Sequence, residues 1–292
     1  MTLAVLGAVA FSGKAIIVKL AYRHGVDAVT LIMLRMLFAL PFFLGLIWWA
    51  SRKGGPQKPA PLTRRDGLGI LGLGVTGYYL ASFLDFAGLA YITASLERLI
   101  LYLNPTLVLL LGWVLLGRRI ARRQAIGMAI SYGGVLLVFG HEVKLDGSGV
   151  ALGALLVFLS AVSYALYLFY SGELVQRLGA MRLVGLATSV ACVLCIAQFV
   201  VLRPVASAFA VAPEVIWLSV VNATLCTVVP VMMVMMAIER IGSGLAAQVG
   251  MVGPMSTMLM GVLVLGEPFT VWLLAGTALV IAGVAVCSRT SV

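Results

Sequence analysis

Six ionisable side chains interrupt otherwise apolar runs: Lys14, Lys19, Arg35, Asp85, Glu97 and Arg98. Inside a bilayer each would cost about 2.5–3.5 kcal/mol at the centre, so each should face a partner or a water-filled space. Such groups are candidates for holding a charged solute. Lys14 is the deepest, and no acidic residue is obviously level with it. With Ser12 and Gly13 beside it, Lys14 is expected to hold a substrate carboxylate. The competing reading pairs it with Glu97 or with a freed backbone carbonyl. Lys19 lies near a helix end and can snorkel. An Asp85–Arg98 ion pair is expected across the short turn between their helices, with a substrate role for these groups as the alternative.

Uncharged polar residues recur at helical spacing. Tyr78, Ser82 and Asp85 stand at i, i+4 and i+7, with Tyr79 adjacent, and Ser160, Ser163, Tyr164, Tyr167 and Tyr170 form a second stripe. Tyr102, Asn222 and Gln248 add polar groups to further apolar runs. Rings and hydroxyls around one cavity would suit a small amphipathic solute. The candidate substrate-binding set is therefore Lys14, Tyr78, Tyr79, Ser82, Arg98, Tyr102, Ser163, Tyr164, Tyr167, Asn222 and Gln248.

Catalytic chemistry finds no support. Both histidines, His24 and His141, fall at the ends of apolar runs, leaving no base to activate a buried serine. There is no His/carboxylate cluster for a metal, and no metal or other cofactor is expected. Cys192-Val-Leu-Cys195 has redox spacing without a second pair, so its thiols read as small hydrophobes. Gly72-Leu-Gly74-Val-Thr-Gly77 matches a dinucleotide fingerprint but lies inside an apolar run, where small residues serve close helix packing.

The elements that position these groups follow from composition. Of 292 residues, 62% are hydrophobic and 10% charged, against about 45–50% and about 25% in soluble domains. Ten apolar runs, near 3–22, 29–50, 67–90, 92–116, 123–140, 149–172, 181–202, 213–238, 243–265 and 269–287, are long enough to cross a bilayer. The net charge of +10 is concentrated in alternate connections: thirteen basic residues on the side of the termini against three on the other. That bias places both termini in the cytoplasm, and it replaces a nucleic-acid partner as the use of the charge.

A shift of 149 residues superimposes two stretches. Pro105 falls on Pro254, Gly112 on Gly261, Leu116-Gly117 on Leu265-Gly266, Gly127 on Gly276 and Gly134 on Gly283. Five spans per copy is an odd number, so the second copy enters from the opposite side, as in secondary transporters. The expected fold is all-α: ten transmembrane helices in two inverted five-helix repeats, residues 1–140 and 149–287, around a central cavity. Pro105 and Pro254 should break helices 4 and 9, and with Gly250 and Gly253 they are candidate hinges.

Ala94…Pro105…Leu116-Gly117…Gln124…Gly127…Gly133-Gly134-Val135, repeated as Ser243…Pro254…Leu265-Gly266-Glu267-Pro268…Gly276…Gly283-Val284, resembles the paired EamA-type units of the drug/metabolite transporter superfamily. Among its members the chain is most similar to bacterial aromatic amino-acid exporters of the YddG type. The resemblance implies a cavity lined largely by helices 1, 3, 4, 6, 8 and 9. The expected activity is export of aromatic and other small neutral amino acids, with the lipid bilayer as surroundings and a monomer sufficient. A proton-coupled exporter of drugs or other metabolites is the alternative. Asp85 and Glu97 are expected to lie outward of the substrate, which favours a facilitator.

Overall fold

The computed structural model describes residues 2–52, 61–117, 119–146, 148–233 and 252–288. Gln248, Gly250 and the beginning of the ninth apolar run lie outside these residues. Among those described every regular element is helical. We label the helices α1 (Thr2–Tyr22), α2 (Ala28–Arg52), α3 (Arg64–Leu89), α4 (Ala94–Leu116), α5 (Arg122–Asp146), α6 (Ser148–Leu178), α7 (Ala180–Leu202), α8 (Pro213–Met233), α9 (252–265) and α10 (Val271–Ser288). Seven of these are long and apolar enough to cross a membrane, and shorter apolar helices accompany them. The chain is a polytopic all-α membrane protein.

Local sequence sets the helix ends. Thr63 caps α3 in a capping box with Asp66, which is why this helix begins before the apolar run does. Thr93 caps α4 by accepting from the Leu96 N–H. Asp27 caps α2 through the N–H groups of Val29 and Thr30. Burial opposes its charge, but the hydrogen bonds from Thr30 and Val29 and the nearby Arg203 outweigh that and hold its carboxyl below the usual carboxylate range. Gly117 and Gly266, repeat counterparts, end α4 and α9 in the left-handed conformation, with φ of 63° and 72°.

The packing shows a pseudo-two-fold relation. Helices α2, α4 and α5 pack against their own counterparts α7, α9 and α10, while the α3/α6 contact is matched by α1/α8. Both large apolar clusters draw residues from both repeats, so neither repeat buries its apolar surface alone. The correspondence extends to a feature no residue pattern announced. A π-helical turn, Gly74–Leu80, widens α3, and its counterpart Thr224–Val228 widens α8. Such turns insert an extra residue into the register and are enriched at functional sites.

Helix α4 breaks after Leu101. Tyr102 and Leu103 are non-helical, and Asn104 starts a second helical piece with Pro105 in its first turn. Proline fits there because a first-turn N–H has no intrahelical acceptor. Gly253 and Pro254 lie in the piece Val252–Met260. The small-residue reading of the Gly-rich stretch in α3 holds for two of its glycines. A Cβ on Gly74 would come within 2.8 Å of the Ala187 carbonyl oxygen, and one on Gly77 would enter the Tyr167 ring, whereas Gly72 faces open space.

Candidate functional site

The π turn brings one face of α3 onto a cavity of about 230 Å³. That far exceeds the roughly 10–15 Å³ that one water requires. Tyr78, Ser82 and Asp85 all line it, together with Lys14 of α1, Arg35 of α2, Arg98 and Tyr102 of α4, and Tyr164 of α6. Asn104, at the α4 break, and Thr227, in the π turn of α8, add to its polar wall with Ser160 and Thr188. Widening a helix frees carbonyls, which in a lipid-embedded protein must find donors inside the protein. Serines of α6 supply them: Ser160 Oγ donates to the Ala81 carbonyl at 2.6 Å and Ser163 Oγ to that of Thr76 at 2.7 Å. In α8, Thr227 Oγ1 donates to the Asn222 carbonyl at 2.9 Å.

Four charged side chains, Lys14, Arg35, Asp85 and Arg98, line the cavity. Lys14 Nζ lies 2.6 Å from Asp85 Oδ2 and 3.8 Å from Glu97 Oε1. Lysine and aspartate are nearly fully buried, and Glu97 is completely so. An acid is therefore level with Lys14 after all, because α1 and α3 run the same way and place residues 14 and 85 at one depth. The expected Asp85–Arg98 pair does not form. Arg98 Nε donates instead to Thr257 Oγ1 at 3.1 Å and its Nη2 to the Phe11 carbonyl at 3.3 Å, stitching α4 to α9 and α1. Its carboxylate neighbour among the described residues is the adjacent Glu97, at 3.9 Å. Ser12 Oγ donates to the Gly253 carbonyl at 2.9 Å, tying α1 directly to α9.

The candidate residues thus divide. Lys14, Tyr78, Ser82, Arg98, Tyr102 and Tyr164 reach the cavity wall. Ser163 is spent on the α3 backbone. Tyr167 stands behind the wall, its hydroxyl 3.2 Å from that of Tyr78 and its ring stacked on Tyr164. Tyr79 turns away to pack on the apolar cluster around Met36 and Phe86. Asn222 is fully buried off the cavity, its amide without a partner among the described residues. Arg35 and Asp85 are the additions, and the signal that could have found them was their charge inside apolar runs.

The end of the molecule carrying Glu267 is closed by hydrogen bonds between repeats. Glu267 accepts from the Ala94 N–H at 2.6 Å, the Ser95 N–H at 3.3 Å and Ser95 Oγ at 2.8 Å, capping α4 from the α9–α10 connection. Arg23 Nη2 reaches the Leu265 carbonyl at 2.7 Å. A carboxylate at a helix N-terminus meets both unpaired N–H groups and the positive end of the helix dipole. Glu267→Ala is expected to lower stability by about 0.5–2 kcal/mol, read as a depressed melting temperature in detergent. Glu267→Gln, which keeps one acceptor oxygen, should lose less.

Two successive matches to the EamA-like transporter family cover residues 1–140 and 151–289. The chain belongs to the EamA-like transporter family. This EamA-family chain is 31% identical over 268 residues to the uncharacterized transporter YcbK of Bacillus subtilis (strain 168), covering 90% of this chain and 84% of YcbK. It is 30% identical over 106 residues to the uncharacterized transporter YyaM of the same organism, covering 36% and 35% of the two chains. A solved crystal structure superimposes with a TM-score of 0.66 at 18% identity, covering 98% of this chain and 94% of that one, a likeness of fold. The protein is a membrane transporter of that family.

Proposed function

We propose that this EamA-family transporter exports small neutral amino acids, aromatic ones among them, across a bacterial inner membrane by alternating access, with both termini cytoplasmic. The observation that carries the reading is the cavity itself. Charges of both signs line it, Lys14, Arg35 and Arg98 with Asp85, and aromatic rings of Phe43, Tyr78 and Tyr164 form its wall. A few placed polar groups in an otherwise apolar pocket orient a solute, while rings accept its apolar part. The breaks in α4 and the π turns of α3 and α8 supply bendable points beside the cavity.

Coupling has a second reading. The facilitator expectation rested on Asp85 and Glu97 lying away from the substrate, yet Asp85 is on the cavity wall and Glu97 is 3.8 Å from the same lysine. Neither oxygen of Glu97 has a hydrogen-bond partner among the described residues. Buried carboxylates beside a substrate cavity are the usual carriers of protons in transporters, which supports proton-coupled export.

Proteoliposomes containing only this protein test both. Saturable counterflow of labelled phenylalanine, absent from empty liposomes, is the expected result; no amino acid moving while other solutes do would overturn the amino-acid reading. Uphill accumulation on an imposed pH gradient is expected for the coupled protein, and equilibration without accumulation would return it to a facilitator.

A further inference from the structure

Among the charged groups of the cavity, Arg35 stands apart. Its side chain is 3% exposed. Among the described residues it has no carboxylate within ion-pair distance and no hydrogen bond, Nε included, and only the Phe86 ring lies under its guanidinium, 4.6 Å away. A cation–π contact offsets part of the cost of a buried charge. It leaves the donors of the planar fork unused. Lys14 and Arg98, by contrast, already have acceptors. Among the described residues three cations, Lys14, Arg35 and Arg98, face two carboxylates, Asp85 and Glu97, so this cluster has one cation more than its acids can match.

A second orphan complements the first. Asp85 gives one oxygen, Oδ2, to Lys14, while its Oδ1 is buried without a hydrogen-bond partner among the described residues. Arg35 and Asp85 line the same cavity, so an unused donor fork and a carboxylate with one unfilled oxygen border the same space.

We propose that Arg35 and Asp85 are the two poles of a zwitterion site: the Arg35 guanidinium takes the substrate's carboxylate and the Asp85 carboxylate takes its ammonium. This rests on the amino-acid reading above and assigns the recognition to residues that reading left open. A guanidinium matches a carboxylate with two parallel N–H···O bonds, which a lysine cannot do. An α-amino acid brings both missing partners in one molecule, and its side chain then extends toward the aromatic wall at Tyr78 and Tyr164. Lys14 holds Asp85 in place as a positioning residue.

The test measures binding to the purified full chain, in lipid nanodiscs, of phenylalanine, its decarboxylated amine phenethylamine and its deaminated acid 3-phenylpropionate. Phenylalanine should bind tightest. Arg35→Gln is expected to weaken phenylalanine and phenylpropionate by about 10- to 100-fold and phenethylamine by less than about 3-fold, with Arg35→Lys in between. Its melting temperature without ligand should be equal to or above that of the parent, because an unmatched buried charge has been removed. Equal weakening of all three probes, or a lower melting temperature in Arg35→Gln, makes the arginine a structural residue and overturns the assignment. Phenylpropionate binding as tightly as phenylalanine would remove the Asp85 pole and overturn the zwitterion site. Failure of the parent to bind any of the three overturns the amino-acid reading itself, whereas binding that Arg35→Gln leaves unchanged overturns only this inference.

Discussion

Lys14→Met is expected to destabilise the protein by about 3–5 kcal/mol, the usual cost of removing one partner from a buried ion pair. The substitution keeps the side-chain length but leaves Asp85 and Glu97, both buried, without the cation that lies 2.6 and 3.8 Å from them. An uncompensated carboxylate in that setting is costlier than the pair was worth. The decisive comparison is the double variant Lys14→Met/Asp85→Asn. It removes one charge of each sign, so most of the lost stability should return. The readout is the midpoint of thermal unfolding in detergent, with retention on size exclusion as a second measure. Full stability of the single variant would show that the pair carries no structural weight. Transport should fail in both variants, since each loses a pole of the charged cluster or the group that positions it.

Placing a methyl group at Gly127 or Gly134 is expected to cost about 1–3 kcal/mol each, through overpacking of the α5–α10 contact. These glycines let two helices touch backbone to backbone. A Cβ on Gly127 would come within 2.6 Å of the Gly283 carbonyl oxygen, and one on Gly134 within 2.6 Å of that of Gly276. The repeat relation exchanges the two contacts, since Gly127 corresponds to Gly276 and Gly134 to Gly283. Because each added methyl meets a backbone carbonyl oxygen at the same distance, equal losses from Gly127→Ala and Gly134→Ala are expected. Gly133→Ala is the control: it lies on the same helix with nothing within 4 Å of the added atom, and alanine there should stabilise by about 0.5–1 kcal/mol from helix propensity. Thermal melts of the three variants decide the matter. A loss at Gly133 as large as at its neighbour would mean that backbone flexibility, rather than close packing, is what these glycines provide.

The expectation for Lys14 shows where reading residues in order falls short. Its depth in the bilayer followed from its place in an apolar run, but its partner depended on which helices are neighbours. Asp85 lies 71 positions away, and only the packing of α1 against α3 and α4 sets them side by side. Ser163 and Tyr167 fall at helical spacing with true wall residues, and periodicity rightly placed them on one face. That face is wider than the cavity, however, so Ser163 meets the α3 backbone and Tyr167 the ring of Tyr164. Arg35 was visible as an intramembrane charge, but nothing local distinguished an arginine with a partner from one without.

The sequence by itself determined that this chain lives in a membrane, that its helices come in two related sets of five, and where α4 breaks. Those properties rest on composition, on residue spacing and on proline and glycine chemistry, all of which act within a few residues of the chain. Tertiary structure alone decided which charges pair, which polar side chains face the cavity and where the π turns of α3 and α8 open. These depend on contacts between residues many turns apart, and the physical reason is that burial leaves each charge or freed carbonyl only those partners that another helix brings within hydrogen-bond reach.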